Sequence, residues 1–132
     1  MVYEMIARNR HERMLTEILA CPDSIGISTN TLLLSDREVK MYLGGKLYVE
    51  PDIRFFGVHE YFFECKGTDS VQTRTKGFDQ VRRTWDIVRP INPGARIGLV
   101  LPTTKYYTGL DHLVIDYYDC HMRLISQFWS GE

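Results

Sequence analysis

The stretch from Glu50 to Gly67 reads EPDIRFFGVHEYFFECKG and sets Asp52, Glu64 and Lys66 inside a segment that is otherwise strongly apolar and aromatic. Charges in such surroundings are costly unless something compensates them. Two carboxylates with a lysine two residues beyond the second suit a divalent cation. Mg²⁺ takes oxygen ligands, usually one or two carboxylates completed by waters and substrate phosphate, and it activates water for attack on phosphorus. A lysine beside it can position that water or offset charge in the transition state. The plain structural alternative is a Glu64–Lys66 ion pair on a solvated sheet face, with Asp52 in a Pro-Asp turn.

These residues need a scaffold that brings them together. Along a strand side chains alternate faces, so Phe62, Glu64 and Lys66 share one face of EYFFECK, and Tyr61, Phe63 and Cys65 share the other. A two-residue hairpin turn at Gly57-Val58 or Val58-His59 would set Asp52 opposite Phe63 or Cys65, with Glu64 as its neighbour. Upstream, the first twenty residues lack Gly and Pro and place Met5, Ile6, Met14, Leu15, Ile18 and Leu19 mostly on one helical face, ending at Cys21-Pro22. Short β-rich runs follow, IGISTNTLLL and then VKMYLGGKLYVE with a hairpin turn at Gly44-Gly45. Downstream, Phe78, Val81, Trp85 and Val88 recur at spacings of three and four in an amphipathic helix that stops at Pro90. ARIGLVLP then reads as a buried strand and HLVIDYYD as a further one, while the last dozen residues carry no clear pattern. The order α-β-β-β-α-β implies an α/β (α+β) fold, a mixed sheet with helices packed against it. With no repeat or linker, residues 1–132 read as one domain.

At 132 residues the chain is long enough to bury a core of its own. No run is apolar enough to span a membrane, and the first residues lack the apolar centre of a signal peptide, so a cytosolic protein is expected. Cys21, Cys65 and Cys120 are odd in number and show no paired spacing, which fits reduced thiols better than disulfides, and neither they nor the histidines have the spacing of a structural zinc site. The net charge of −1 hides an uneven distribution: from Ser70 to Lys105 seven basic residues stand against two acidic ones, a local +5. Such a segment is expected of a surface that meets phosphates, or of a solvated basic helix face.

The ordered motif, Pro51-Asp52 followed by Glu64-Cys65-Lys66, resembles the signature of the PD-(D/E)xK nuclease superfamily, the restriction-endonuclease-like fold. There the Asp opens one strand, the (D/E)xK lies on the next, and a helix follows the Lys. The resemblance implies that Asp52 and Glu64 bind Mg²⁺, with Mn²⁺ as substitute, that Lys66 assists the attacking water, and that Cys65 offers its backbone carbonyl to the metal. RNRHERMLTEIL in the first helix is similar to the ERxL helix of archaeal Holliday-junction resolvases, which implies a further acidic ligand at Glu12. Gln80, on the helix after Lys66, becomes a candidate contact to water or substrate, and Arg74, Lys76, Arg82 and Arg83 become phosphate contacts that position DNA without reading its sequence. The polar stretch Gly67–Gly77 would be a loop that moves when DNA binds. Enzymes of this kind often act as homodimers, and the motif recurs in restriction, transposon, viral and phage nucleases. A Ser24–Val49 insert and the C-terminal thirty residues have no counterpart in the resemblance. A non-catalytic module of the same fold that binds nucleic acid or a nuclease partner is the competing expectation.

Overall fold

A computed structural model describes residues 2–131. Helix α1 covers Val2–Ala20 and buries Met14, Leu15 and Ile18 near its C-terminal end. It stops where Pro22, which cannot donate a backbone hydrogen bond, opens a short 3₁₀ turn closed by Gly26 at φ 82°. IGISTNTLLL, expected as a β-rich run, instead runs from the end of one 3₁₀ turn, Pro22–Ile25, through a second, Thr29–Thr31, and becomes strand only at Leu34. The Asp23 carboxylate accepts hydrogen bonds from the Thr29 amide and hydroxyl and ties the two turns together, which takes this segment out of extended conformation.

Eight strands follow: β1 (Leu34–Arg37), β2 (Met41–Leu43), β3 (Lys46–Val49), β4 (Ile53–Phe56), β5 (Glu60–Cys65), β6 (Arg96–Pro102), β7 (Leu113–Tyr118) and β8 (Leu124–Trp129), with helix α2 (Val71–Val88) between β5 and β6. Six of them form one sheet in the order β1-β4-β5-β6-β7-β8, and β2 and β3 form a separate hairpin around Gly44-Gly45. Among the described strands only β5 and β6 run parallel, because α2 carries the chain back between them. The architecture is therefore mixed α/β, of the α+β class. If the hairpin and the last two strands are left aside, the order is α1-β1-β4-β5-α2-β6.

Each face of the sheet has its own core. Met14, Leu15 and Ile18 of α1 pack with Ile53, Phe55, Phe63, Cys65 and Ile115 on one side. Val81, Trp85 and Val88 of α2 pack with Phe62, Ile97, Leu99 and Val114 on the other. Alternation along β5 thus sends Phe62 and Glu64 toward α2, and Phe63 and Cys65 toward α1. Trp85 also donates its indole N–H to the Tyr118 carbonyl.

Helix α2 begins at Val71, capped by Ser70, whose hydroxyl oxygen accepts from the Thr73 amide. Most of the expected mobile loop Gly67–Gly77 is therefore helix. Its remainder is held down: Gly67 accepts from the Tyr107 amide, and the Asp69 amide donates to Lys105. Gly77 lies inside α2 against β6, where a Cβ would come within 2.4 Å of a Leu99 methyl. The missing side chain is what lets the helix sit this low on the sheet. In the loop after β6, Tyr107 is buried with its hydroxyl donating to Glu17, and Tyr106 is exposed beneath Arg10.

Candidate functional site

Asp52 and Glu64 meet because of one turn. β4 and β5 are joined by three residues, Gly57-Val58-His59, so the ladder pairs Phe56 with Glu60 and Ile53 with Phe63. Extended by one position, this register sets Asp52 directly opposite Glu64. The expected two-residue turn would have left the carboxylates staggered. Opposed residues of an antiparallel pair share a face, so direct opposition favours convergence. The Pro51-Asp52 step is anchored from behind, because its two carbonyls accept the amides of Val39 and Glu38 just after β1.

The Asp52 carboxylate lies at the end of the sheet between the two helices. It accepts the Cys65 backbone N–H at 2.8 Å, and its same oxygen lies 3.2 Å from His11 Nε2 on α1. Glu64 is buried, with Oε1 3.5 Å from Lys66 Nζ. Among the described residues its second oxygen, Oε2, has no hydrogen-bond partner, and neither does the buried Gln80 Oε1 from α2. Asp52, Glu64, Lys66 and Gln80 all line one open cleft of about 390 Å³, together with His11 and Arg10. Cys65 lines it too, but its thiol belongs to the α1-side core, which leaves its main chain on the cleft side.

Burial pushes the Glu64 carboxyl well above its ordinary range, and the Asp52 charge pushes it further, against the opposing pull of Lys66. For Asp52 burial acts upward as well, but the His11 hydrogen bond and charge, with the Cys65 amide, carry it below its ordinary value. The two carboxyls are thus driven apart in affinity for a proton, as expected when like charges share a small space. Oxygens without partners beside a carboxylate pair fit a hard cation. Among the described residues no three His, Cys, Asp or Glu side chains gather as a metal-ligand cluster. The side-chain donor set is two carboxylates, and Mg²⁺ commonly binds through one or two of these and fills its remaining positions with water and phosphate.

Other expected site residues lie elsewhere. Glu12 turns away from the cleft to Arg37, 2.7 Å from its guanidinium, while His11, one residue before it and about 100° round the helix, faces Asp52. Arg74 is held by Asp69, Arg82 by Asp79 and Asp86, and Arg83 by Asp79. Three of the seven basic side chains of this segment are therefore in ion pairs, with Asp79 and Asp86, already counted in its net charge, among the partners. Lys76 has no ion-pair partner among the described residues and lines a groove beside the cleft with Lys66, Gln80 and Arg83.

The His11–Asp52 pair gives stability a pH signature. The hydrogen bond to Asp52 raises the ring above its ordinary 6.5, against the effect of burial, so its contribution is complete below that pH and is lost as pH rises through the folded value. Asp52 contributes above its ordinary 3.8 and loses that contribution as pH falls through its depressed folded value. Chemical denaturation at mildly acidic and mildly basic pH is expected to show wild type losing more stability on the way up than His11→Ala. The difference should stay under about 1 kcal/mol, since the ring is a third exposed. Equal pH slopes would refute the pairing.

The fold and site together define an α+β domain with a paired-carboxylate cleft at the end of its mixed sheet. Comparison with known proteins returns no match among family models, curated proteins or solved structures.

Proposed function

We propose that this chain is a metal-dependent nuclease of the PD-(D/E)xK kind, hydrolysing phosphodiester bonds of DNA at the Asp52–Glu64–Lys66 cleft. The observation that carries the reading is the opposition of Asp52 and Glu64, with Lys66 beside them and the Glu64 Oε2 atom buried without a partner. The order α1-β1-β4-β5-α2-β6, with the motif residues at the ends of β4 and β5, also matches the scaffold this class requires. Asp52 and Glu64 would hold Mg²⁺ or Mn²⁺, helped by the Cys65 carbonyl. Glu12 does not line the cleft and has no part in the proposal.

When bound, the cation supplies charge neutralisation and an acidified water. Lys66 orients that water from its place beside Glu64 and offsets negative charge that builds on the phosphate. Gln80, with a free carbonyl oxygen and an amide to donate, steadies water or substrate from the α2 side. His11 holds the Asp52 carboxylate in place. The loop after β5, pinned to residues 105 and 107, gives the cleft a fixed floor.

The test is cleavage of labelled four-way junction, duplex and single-stranded DNA with Mg²⁺, Mn²⁺ or chelator, for wild type and Asp52→Ala. Cuts that need metal and vanish in the variant support the proposal, and the preferred DNA form separates a junction resolvase from a general endonuclease. Metal-dependent cleavage that survives both Asp52→Ala and Lys66→Ala sinks it.

The ion pairs on α2 make a specific forecast for DNA binding. Lys76→Ala is expected to reduce the slope of log affinity against log salt by about 1, the loss of one phosphate contact. Arg82→Ala should change it far less, because that guanidinium already serves two aspartates. Equal effects in a salt titration would show that the arginines leave their partners for phosphate.

A further inference from the structure

Beyond the end of α1, the Pro22–Gly26 turn borders a hollow of about 540 Å³ on the same face of the sheet. It is larger than the carboxylate cleft, shares no residue with it and lies toward the other end of the strands, where β5 and β6 begin. Four strands line it. Tyr61 of β5 pairs with Arg96 of β6, and Tyr117 of β7 pairs with Gly98 of β6 and Ser126 of β8, so these positions share one face. Gly98 sets the shape: a Cβ there would come within 3.3 Å of the Tyr117 ring, and without one the ring leans toward Phe63, in an edge contact at 6.0 Å. Space is left above Ser126, bounded on the far side by Phe128, whose ring rests on Gly26.

The hollow has a consistent chemistry. None of the residues around it is acidic, in a chain with 17 Asp and Glu residues. The Arg96 guanidinium lies over the Tyr61 ring, donates to the Tyr61 hydroxyl at 3.3 Å, sits 3.2 Å from His59 Nε2, and forms no ion pair among the described residues. A guanidinium oriented by neutral groups keeps its charge for an anion. The Tyr117 hydroxyl, which burial pushes up and so keeps protonated, adds a donor within reach of the Arg96 charge. Beside these groups the rings of Tyr61, Tyr117 and Phe128 offer flat apolar surface.

We propose that this hollow is a nucleotide-binding site, with the base against Tyr117 and Phe128 and the phosphate on Arg96. Span and volume select this class over smaller aromatic acids. Arg96 on β6 and Phe128 on β8 stand two strand spacings apart, roughly 10 Å at the usual interval. A base and a phosphate joined by a sugar can cover that distance, and a benzoate cannot. The volume falls within the range of roughly 300–1,000 Å³ usual for small-molecule sites. Stacking on aromatic faces accepts any base, so base identity should matter little. The same chemistry is carried by a free nucleotide and by one nucleotide of an unpaired strand, and the site does not rest on the nuclease reading.

Titration of isotope-labelled protein with deoxyadenosine monophosphate, followed by amide NMR, is the test. The Gly26, Gly98 and Ser126 amides should shift, while those of Asp52, Glu64 and Lys66 stay in place. Adenosine without the phosphate, inorganic phosphate and benzoate should each bind at least about tenfold more weakly. Arg96→Gln should lose about tenfold in affinity for the nucleotide and leave adenosine binding unchanged. Ser126→Trp, a change at an exposed position, should fill the hollow and abolish binding with an unchanged far-UV spectrum. A short oligothymidylate that binds far more tightly than the mononucleotide assigns the site to an unpaired strand, and equal affinity assigns it to free nucleotide. No shift at millimolar nucleotide overturns the proposal. So do shifts confined to the carboxylate cleft, binding indifferent to both substitutions, or benzoate that matches the nucleotide.

Discussion

Glu64→Gln is expected to abolish metal-dependent cleavage while raising the melting temperature. On the proposed reading Glu64 holds the cation, so its loss should remove several kcal/mol of transition-state stabilisation, about 10³-fold or more in rate. The same change relieves the fold. In the wild type a buried carboxyl faces a second carboxylate and leaves one oxygen without a partner. A buried unsatisfied group costs about 1–3 kcal/mol, so the amide should gain about 1–2 kcal/mol, roughly 3–6 °C.

The sign with pH is fixed by the raised carboxyl. Its folded value stands above the ordinary 4.5, so the folded state holds the proton more tightly, and the stability of wild type falls as pH climbs from 4.5 toward that value. The gain from Glu64→Gln should be small at acid pH and full above the folded value. Added Mg²⁺ should raise the wild-type melting temperature at mildly basic pH and leave the variant where it is. Calorimetry with and without metal checks both statements. A variant that melts lower than wild type under every condition would mean that the carboxylate is structural.

Gly77→Val is the second large effect, this time on the fold. The first carbon of any side chain there meets Leu99 in the core between α2 and β6. Valine must also place two methyl groups where none fit, and overpacking of this kind costs about 1–3 kcal/mol before any loss of helix propensity is added. Denaturant titration is expected to show the midpoint fall with the slope unchanged. Because α2 carries Gln80, a helix lifted off the sheet should also weaken metal-dependent cleavage in whatever fraction stays folded. Gly77→Ala and Leu99→Ala made together should cost less than the sum of the two single changes, which a purely local backbone effect would not allow.

Much of this was legible in the sequence. The spacing of Met14, Leu15 and Ile18, and of Val81, Trp85 and Val88, marked the buried faces of both helices, and alternation in EYFFECK placed Glu64 and Cys65 on opposite sides of the sheet. What failed turned on single-residue differences. A turn of three residues and a turn of two look alike in a Gly-containing stretch, yet they differ by a full step of register. Choosing between His11 and Glu12 required the rotation of α1 about its axis, which neighbouring positions cannot reveal. Helix α2 was expected to start late because Gly67–Gly77 is polar and bounded by glycines, whereas the Ser70 cap and the close fit on Leu99 start it at Val71. The charge count stands, but it could not say which cations are engaged: the fold pairs Arg74, Arg82 and Arg83 with nearby aspartates, two of which the count had already subtracted.

The connection Gly57-Val58-His59 therefore has a standing out of proportion to its place on the surface. Surface loops usually tolerate added or lost residues. Here one residue more or fewer would slip β4 against β5, turn Asp52 away from Glu64 and separate the carboxylates without altering either of them. Gly57 is fixed as well, since a Cβ there would lie 2.3 Å from the Thr31 carbonyl oxygen. Length variation in this chain's descendants should accumulate at the β2–β3 hairpin, where Gly44 and Gly45 have open space around them, and be purged from this turn. The turn works as a ruler that sets Asp52 against Glu64.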